Sequence, residues 1–136
     1  MVRVKEVEEV PTPKYPCPKI IEVNFPEEFN KNEEKTWSVK VRNTGATGHC
    51  ILYFSVKSRP GGKFYVTPQG ENTMEVPDYP VIVCPKSKYV ESGKEAVFSG
   101  TAVFDTAGDW VIVIGSGHME PPYQGVVVDD EKFLNG

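Results

Sequence analysis

The chain is short of the residues on which most catalytic chemistry depends. Among 136 residues there are two histidines, His49 and His118, three cysteines, and two glutamines, Gln69 and Gln124. With two histidines a Ser-His-acid triad has little to draw on. The acidic residues are scattered among turns and strand exteriors, so no carboxylate pair stands out. Gly115-Ser116-Gly117 lacks the G-x-S-x-G frame of a nucleophile elbow, and Arg59-Pro60-Gly61-Gly62 is a turn, not a phosphate loop. Cys17, Cys50 and Cys84 have no CxxC spacing, which removes zinc-ribbon and thioredoxin-like readings. No apolar run approaches the ~18 residues of a membrane helix. Fifteen Lys and Arg against 19 Asp and Glu leave a net charge of −4, and without a basic block the chain is poorly suited to a phosphate backbone. The expectation is a protein that is not an enzyme, holds no cofactor, and has neither a nucleic-acid nor a membrane partner.

What is present favours strands. Gly and Pro number 12 each, aromatics make up 11%, and valine is abundant, a mix suited to strands joined by tight turns. The length suffices for one domain with one core and leaves no room for a TIM barrel or a dinucleotide fold with a second domain. Lys and Glu dominate the charges while amides are few, a pattern expected of hyperthermophile proteins.

Residues 1–19 read as a Pro-rich N-terminal arm and 20–136 as a β-sandwich domain. Pro11, Pro13, Pro16 and Pro18 impose an extended, stiff path. Ahead of them, Val2-Arg3-Val4-Lys5 has the pattern of an edge strand. Met1–Val10 contains no apolar h-region, so no secretory signal is expected; the chain is read as cytoplasmic, as a virion component, or as a fragment of a surface protein.

From Ile20 onward apolar residues recur at every second position. Trp37, Val39 and Val41 alternate with polar residues, and Cys50, Leu52, Phe54 and Val56 take one face with Ile51, Tyr53 and Ser55 on the other. Trp110 to Ile114 is apolar on both faces and reads as a central strand. Pro77 and Pro80 demote the segments beside them, Met74–Val76 and Val81–Cys84, to sheet edges. Gly100 inside Val97–Phe104 suggests a bulge. Helical turns are plausible only over Glu27–Glu34 and Asp129–Leu134. Seven to eight short strands with turn signals every 8–12 residues or so predict an all-β, immunoglobulin-like Greek-key sandwich.

Two resemblances follow from these residues. Ile20 to Val128, with Trp37-Ser38-Val39-Lys40-Val41-Arg42-Asn43-Thr44-Gly45 and Ala107-Gly108-Asp109-Trp110-Val111, resembles immunoglobulin-like modules of the CARDB type. That resemblance implies a spacer, adhesion or assembly role through a protein partner or self-association, and no catalytic residues. Val41–Ile51 and Phe104–Gly125 resemble the two histidine-bearing segments of cupredoxins. By that likeness His49 and His118 would share a metal, copper or zinc, with Met119 and Tyr123 nearby. Val113 and Gly115 stand where the copper cysteine would be, so a blue-copper centre is missing its thiolate.

Three further features are singled out. Cys50 and Cys84 both lie in apolar strand-like runs, which makes them the candidate disulfide, with buried free thiols as the alternative. Met119, Pro121, Pro122 and Tyr123 form a rigid, partly apolar loop suited to contact with a partner. Trp37 and Trp110 are assigned to the core from their positions on the strands, with carbohydrate binding as the reading if they were exposed.

Overall fold

A computed structural model describes residues 2–4 and 14–135. Among the described residues the alternating pattern produces nine strands: β1 (Pro18–Asn24), β2 (Lys35–Asn43), β3 (Gly48–Ser58), β4 (Phe64–Pro68), β5 (Met74–Glu75), β6 (Val83–Val90), β7 (Glu95–Phe104), β8 (Val111–Met119) and β9 (Val126–Asn135). One sheet has the order β1-β2-β7-β4-β5 and the other β6-β3-β8-β9, and every pairing between named strands is antiparallel. The runs β1-β2-β7-β4 and β3-β8-β9 follow the four-plus-three arrangement of immunoglobulin-like sandwiches. The fold is therefore the expected all-β sandwich. It has one strand more than the seven or eight anticipated, because the two-residue β5 is separate.

The core lies between the inner faces. Trp37, Val39 and Val41 of β2 face Leu52, Phe54 and Val56 of β3, and Phe64, Val66, Phe98, Phe104, Trp110, Ile112 and Ile114 complete the cluster. Trp37 is 3% exposed and Trp110 5%, and each indole N–H donates to a backbone carbonyl, of Thr101 and Thr106 respectively. Aromatic rings run through one end of the core: Phe64 stacks on Phe104 with centroids 4.3 Å apart, and Phe104 meets Phe29 at 4.8 Å and Trp110 at 5.0 Å.

Three local expectations are corrected. Gly100 is not a bulge, since the registers of β7 with β2 and with β4 run through it without a shift. Its missing side chain makes room for Trp37: a Cβ there would run into the Thr67 carbonyl and stand 2.9 Å from Trp37 Cζ2. Asp129–Leu134 is strand rather than helix, because it pairs with β8 at the edge of its sheet and its three acids find partners there, Asp129 on His118, Asp130 on the Ile20 amide and Glu131 on Tyr53. Glu27–Glu34 is an irregular connection closed by a turn at Asn30–Glu33. The edge positions of β5 and β6 are as the prolines indicate. Of the N-terminal arm, residues 5–13 lie outside the described residues.

Gly100→Ala should therefore cost about 1–3 kcal/mol, the range for overpacking a filled core. Urea unfolding followed by tryptophan emission checks this; a stability equal to wild type would mean the Trp37 pocket is loose.

Candidate functional site

The polar chemistry of the chain gathers at one pole of the sandwich, where β1 begins, β2 meets β3, and β8 turns into β9. Three of the four buried polar residues among those described, Asn43, Ser116 and His118, sit there. Each has its hydrogen-bonding capacity met, as burial requires. Asn43 Oδ1 accepts from the Cys17 and Gly45 amides, both at 3.0 Å. Its Nδ2 donates to the carbonyls of Ala46 (2.7 Å) and Val90 (2.9 Å), so one side chain ties the arm, the β2–β3 turn and β6. Ser116 Oγ donates to the Pro18 carbonyl at 2.7 Å, and the Ile20 amide donates to Asp130 Oδ2 at 2.9 Å. Together these last two bonds join β1 of one sheet to β8 and β9 of the other.

His118 is the centre of the pole. It is 5% exposed. Its Nδ1 donates to Asp129 Oδ2 at 2.6 Å and its Nε2 to Glu120 Oε2 at 2.7 Å, while Tyr15 stacks on the ring with centroids 5.9 Å apart. With carboxylates at both nitrogens the ring donates twice only as the imidazolium. Burial works against that charge, but the bonds to Asp129 and then Glu120 outweigh it and hold the group above its ordinary 6.5. Lys19 Nζ donates to the Asp129 carbonyl at 2.7 Å, bringing β1 into the same knot.

Asp129 reaches His118 through a register shift. β8 pairs Ser116 with Asp130 but Gly117 with Val128, so Asp129 is the extra residue of a bulge. The signal for Glu120 was present in the sequence, two residues beyond His118 on the same side of an extended chain. Nothing in the sequence pairs His118 with Asp129, or Asn43 with Cys17.

His49 and His118 do not come together. His118 lies in β8, not in a loop, one residue beyond the Ile51–Gly117 pair, and so falls beside Cys50 on the inner face. His49, the neighbour of Cys50, projects from the outer face, where it is exposed and packs edge-on against Tyr89 at 5.4 Å. The two carboxylates around His118 occupy opposite ring nitrogens and do not converge on one point. Among the described residues no group of three His, Cys, Asp or Glu side chains is placed to hold a metal ion. The site does not fit shared copper or zinc ligation.

The cysteines are also corrected. All three are free: Cys50 is buried, Cys17 half-buried and Cys84 exposed. In register Cys50 lies opposite Lys88, four residues from Cys84 along β6, so the Cys50–Cys84 pairing fails. Burial, and then the nearby charge of Asp129 and of Cys17, pushes the Cys50 thiol up to about 11, which makes it a poor nucleophile.

Met119 ends β8 and is half-buried, while Pro121, Pro122 and Tyr123 stand exposed, Tyr123 at 63%. The Tyr123 amide donates to the Glu120 carbonyl at 2.6 Å, closing the turn, so the residue that clamps His118 also anchors the loop.

A second polar cluster lies on the outer face of the β6-β3-β8-β9 sheet. Tyr53 is fully buried there, with its ring over Gly115, where any Cβ would collide with it. Its hydroxyl donates to Glu131, and burial followed by that bond raises its pKa. Tyr79 donates to the other Glu131 oxygen at 3.4 Å and meets the Phe133 ring edge-on.

Comparison with known proteins adds the fold. No protein-family model matches the chain, and no curated protein does so significantly. The CupB6 tip adhesin of Pseudomonas aeruginosa aligns over 88% of this chain and 50% of its own, with a TM-score of 0.50 at 9% identity. PapD-like domain 7 of human CEP192 covers 99% and 91% with a TM-score of 0.42 at 18% identity. A conjugative transposon lipoprotein from Bacteroides eggerthii covers 88% and 95% with a TM-score of 0.47 at 9% identity. At such identities the likeness is one of β-sandwich architecture. This is an immunoglobulin-like β-sandwich.

Two measurements check the site. Because the folded His118 value lies above the unfolded one, its stabilisation is complete below the unfolded value and is lost as pH rises through the folded one. Denaturant unfolding from acid to alkaline pH should show that loss in wild type, whereas His118→Gln should lack it. That variant should also be less stable below neutrality by about 3 kcal/mol, the scale for stripping one partner from a buried ion pair; matching pH profiles would contradict the clamp. A thiol reagent should modify the exposed Cys84 in the native protein and reach Cys50 only on unfolding, and a Cys50–Cys84 disulfide found by mass spectrometry would overturn the assignment.

Proposed function

We propose that this chain is a non-catalytic module that works by protein contact, in a structural or assembly role, and that it needs no cofactor. The observation that carries the reading is how the pole uses its chemistry. Both nitrogens of His118 are committed to carboxylates, so the ring is unavailable as a general base. What the arrangement yields instead is a loop held at its base, presenting Pro121, Pro122 and an exposed Tyr123. A pre-ordered loop loses little entropy on binding, and tyrosine offers a large contact area with two rotatable bonds.

The CARDB-type resemblance supports the same reading, since such modules act as spacers, adhesion units or assembly domains. The adhesin among the structural neighbours is compatible with it. A role in a virion or at a cell surface belongs to the same proposal and rests on analogy of fold.

A photo-crosslinking residue at position 123, in extract of the source cells, tests the reading against the same group at exposed Glu91. The expected result is a discrete protein adduct at 123 that weakens when His118→Gln loosens the loop. Equal, diffuse labelling at both positions would contradict it.

A further inference from the structure

The pole opposite His118 is open. There β1 and β9, each the last strand of its sheet, diverge around a cleft of about 760 Å³. Its floor is apolar, with Phe25, Phe29, Trp110 and Leu134, and its rim carries Glu27, Glu28 and Asp109 against a single Lys31. None of the three acids has an ion pair among the described residues. The cleft thus asks for an extended segment with apolar side chains on one face and positive charge beside them.

The chain supplies that chemistry itself. On an extended backbone Val2 and Val4 project to one side and Arg3 to the other, and Lys5 follows in the sequence. Val2 and Val4 are 90% and 88% exposed, so they bury nothing on their own sandwich. The arm is fixed at Tyr15 to the His118 pole, the full length of β8 from the cleft.

We propose that the cleft between β1 and β9 receives the Val2–Val4 segment of a second copy of this chain, the valines entering the apolar floor and Arg3 meeting the acidic rim. Exchanged between two chains, the contact is self-complementary and closes as a dimer. It lies at the pole opposite the Tyr123 loop, so either contact can fail while the other stands.

Sedimentation of the full chain across concentration, with three variants or additions, tests this. Wild type should reach the mass of two chains. Val2→Glu with Val4→Glu, on the exposed arm, should remain monomeric. Glu27→Lys with Glu28→Lys, on the exposed rim, should weaken the dimer by about tenfold. A synthetic peptide of residues 1–10 should split the dimer and shift tryptophan emission through Trp110. A wild type that stays monomeric, or a dimer indifferent to the arm variant, would overturn the proposal. A monomer whose tryptophan emission changes on Val2→Glu with Val4→Glu would also overturn it, since the arm would then fill its own cleft.

Discussion

The structure depends on buried polar groups finding partners at one end of an otherwise apolar sandwich. Hydrophobic burial between the two sheets is non-directional. Hydrogen bonds from buried groups are directional, and leaving one unmade costs about 1–3 kcal/mol. Asn43, Ser116 and His118 each impose such a condition; those of Asn43 and Ser116 join the two sheets, and that of His118 joins the neighbouring strands β8 and β9. The Val90 carbonyl, the Pro18 carbonyl and the Asp129 carboxylate must all arrive in place together. That requirement sets the relative position of the sheets and of the arm.

The consequence is an asymmetry between the two poles. At the His118 end β1 is drawn onto β9 through Asp130 and Lys19. At the other end the same strands part, and aromatic packing among Phe25, Phe29, Phe64 and Phe104 takes over. A closed end suits a fixed loop, and an open end suits an added segment. The division of labour follows from where the polar residues lie, not from the sandwich fold, which many unrelated proteins share.

Much of the architecture was legible in the sequence, and the reasons some of it was not are physical. Period-two alternation marks β2, whose outer face meets solvent, while the near-continuous apolar runs of β3 and of Trp110–Ile114 mark strands covered on both faces; Trp37 and Trp110 are buried accordingly. Past Val128 the alternation of β9 is blurred, because an edge strand is half solvated and carries charges at successive positions. Gly100 was read as a backbone device when it is a packing one, visible only once Trp37 is placed across from it. The site was less legible still. His118 was singled out, but its face was not, and a shift of one residue between β3 and β8 decides whether it meets His49 or Cys50. The bulge that delivers Asp129 left no mark in the composition of β9.

The central claim is that directional bonds at the His118 pole hold the two sheets together. Hydrogen exchange at the Ile20 amide, which crosses between sheets to Asp130, tests it most directly. The account predicts exchange as slow as in the middle of β2, and a selective acceleration at Ile20 in Asp130→Ala with β2 unaffected. An Ile20 amide that exchanges as fast as the turn residues in the wild-type chain would contradict it.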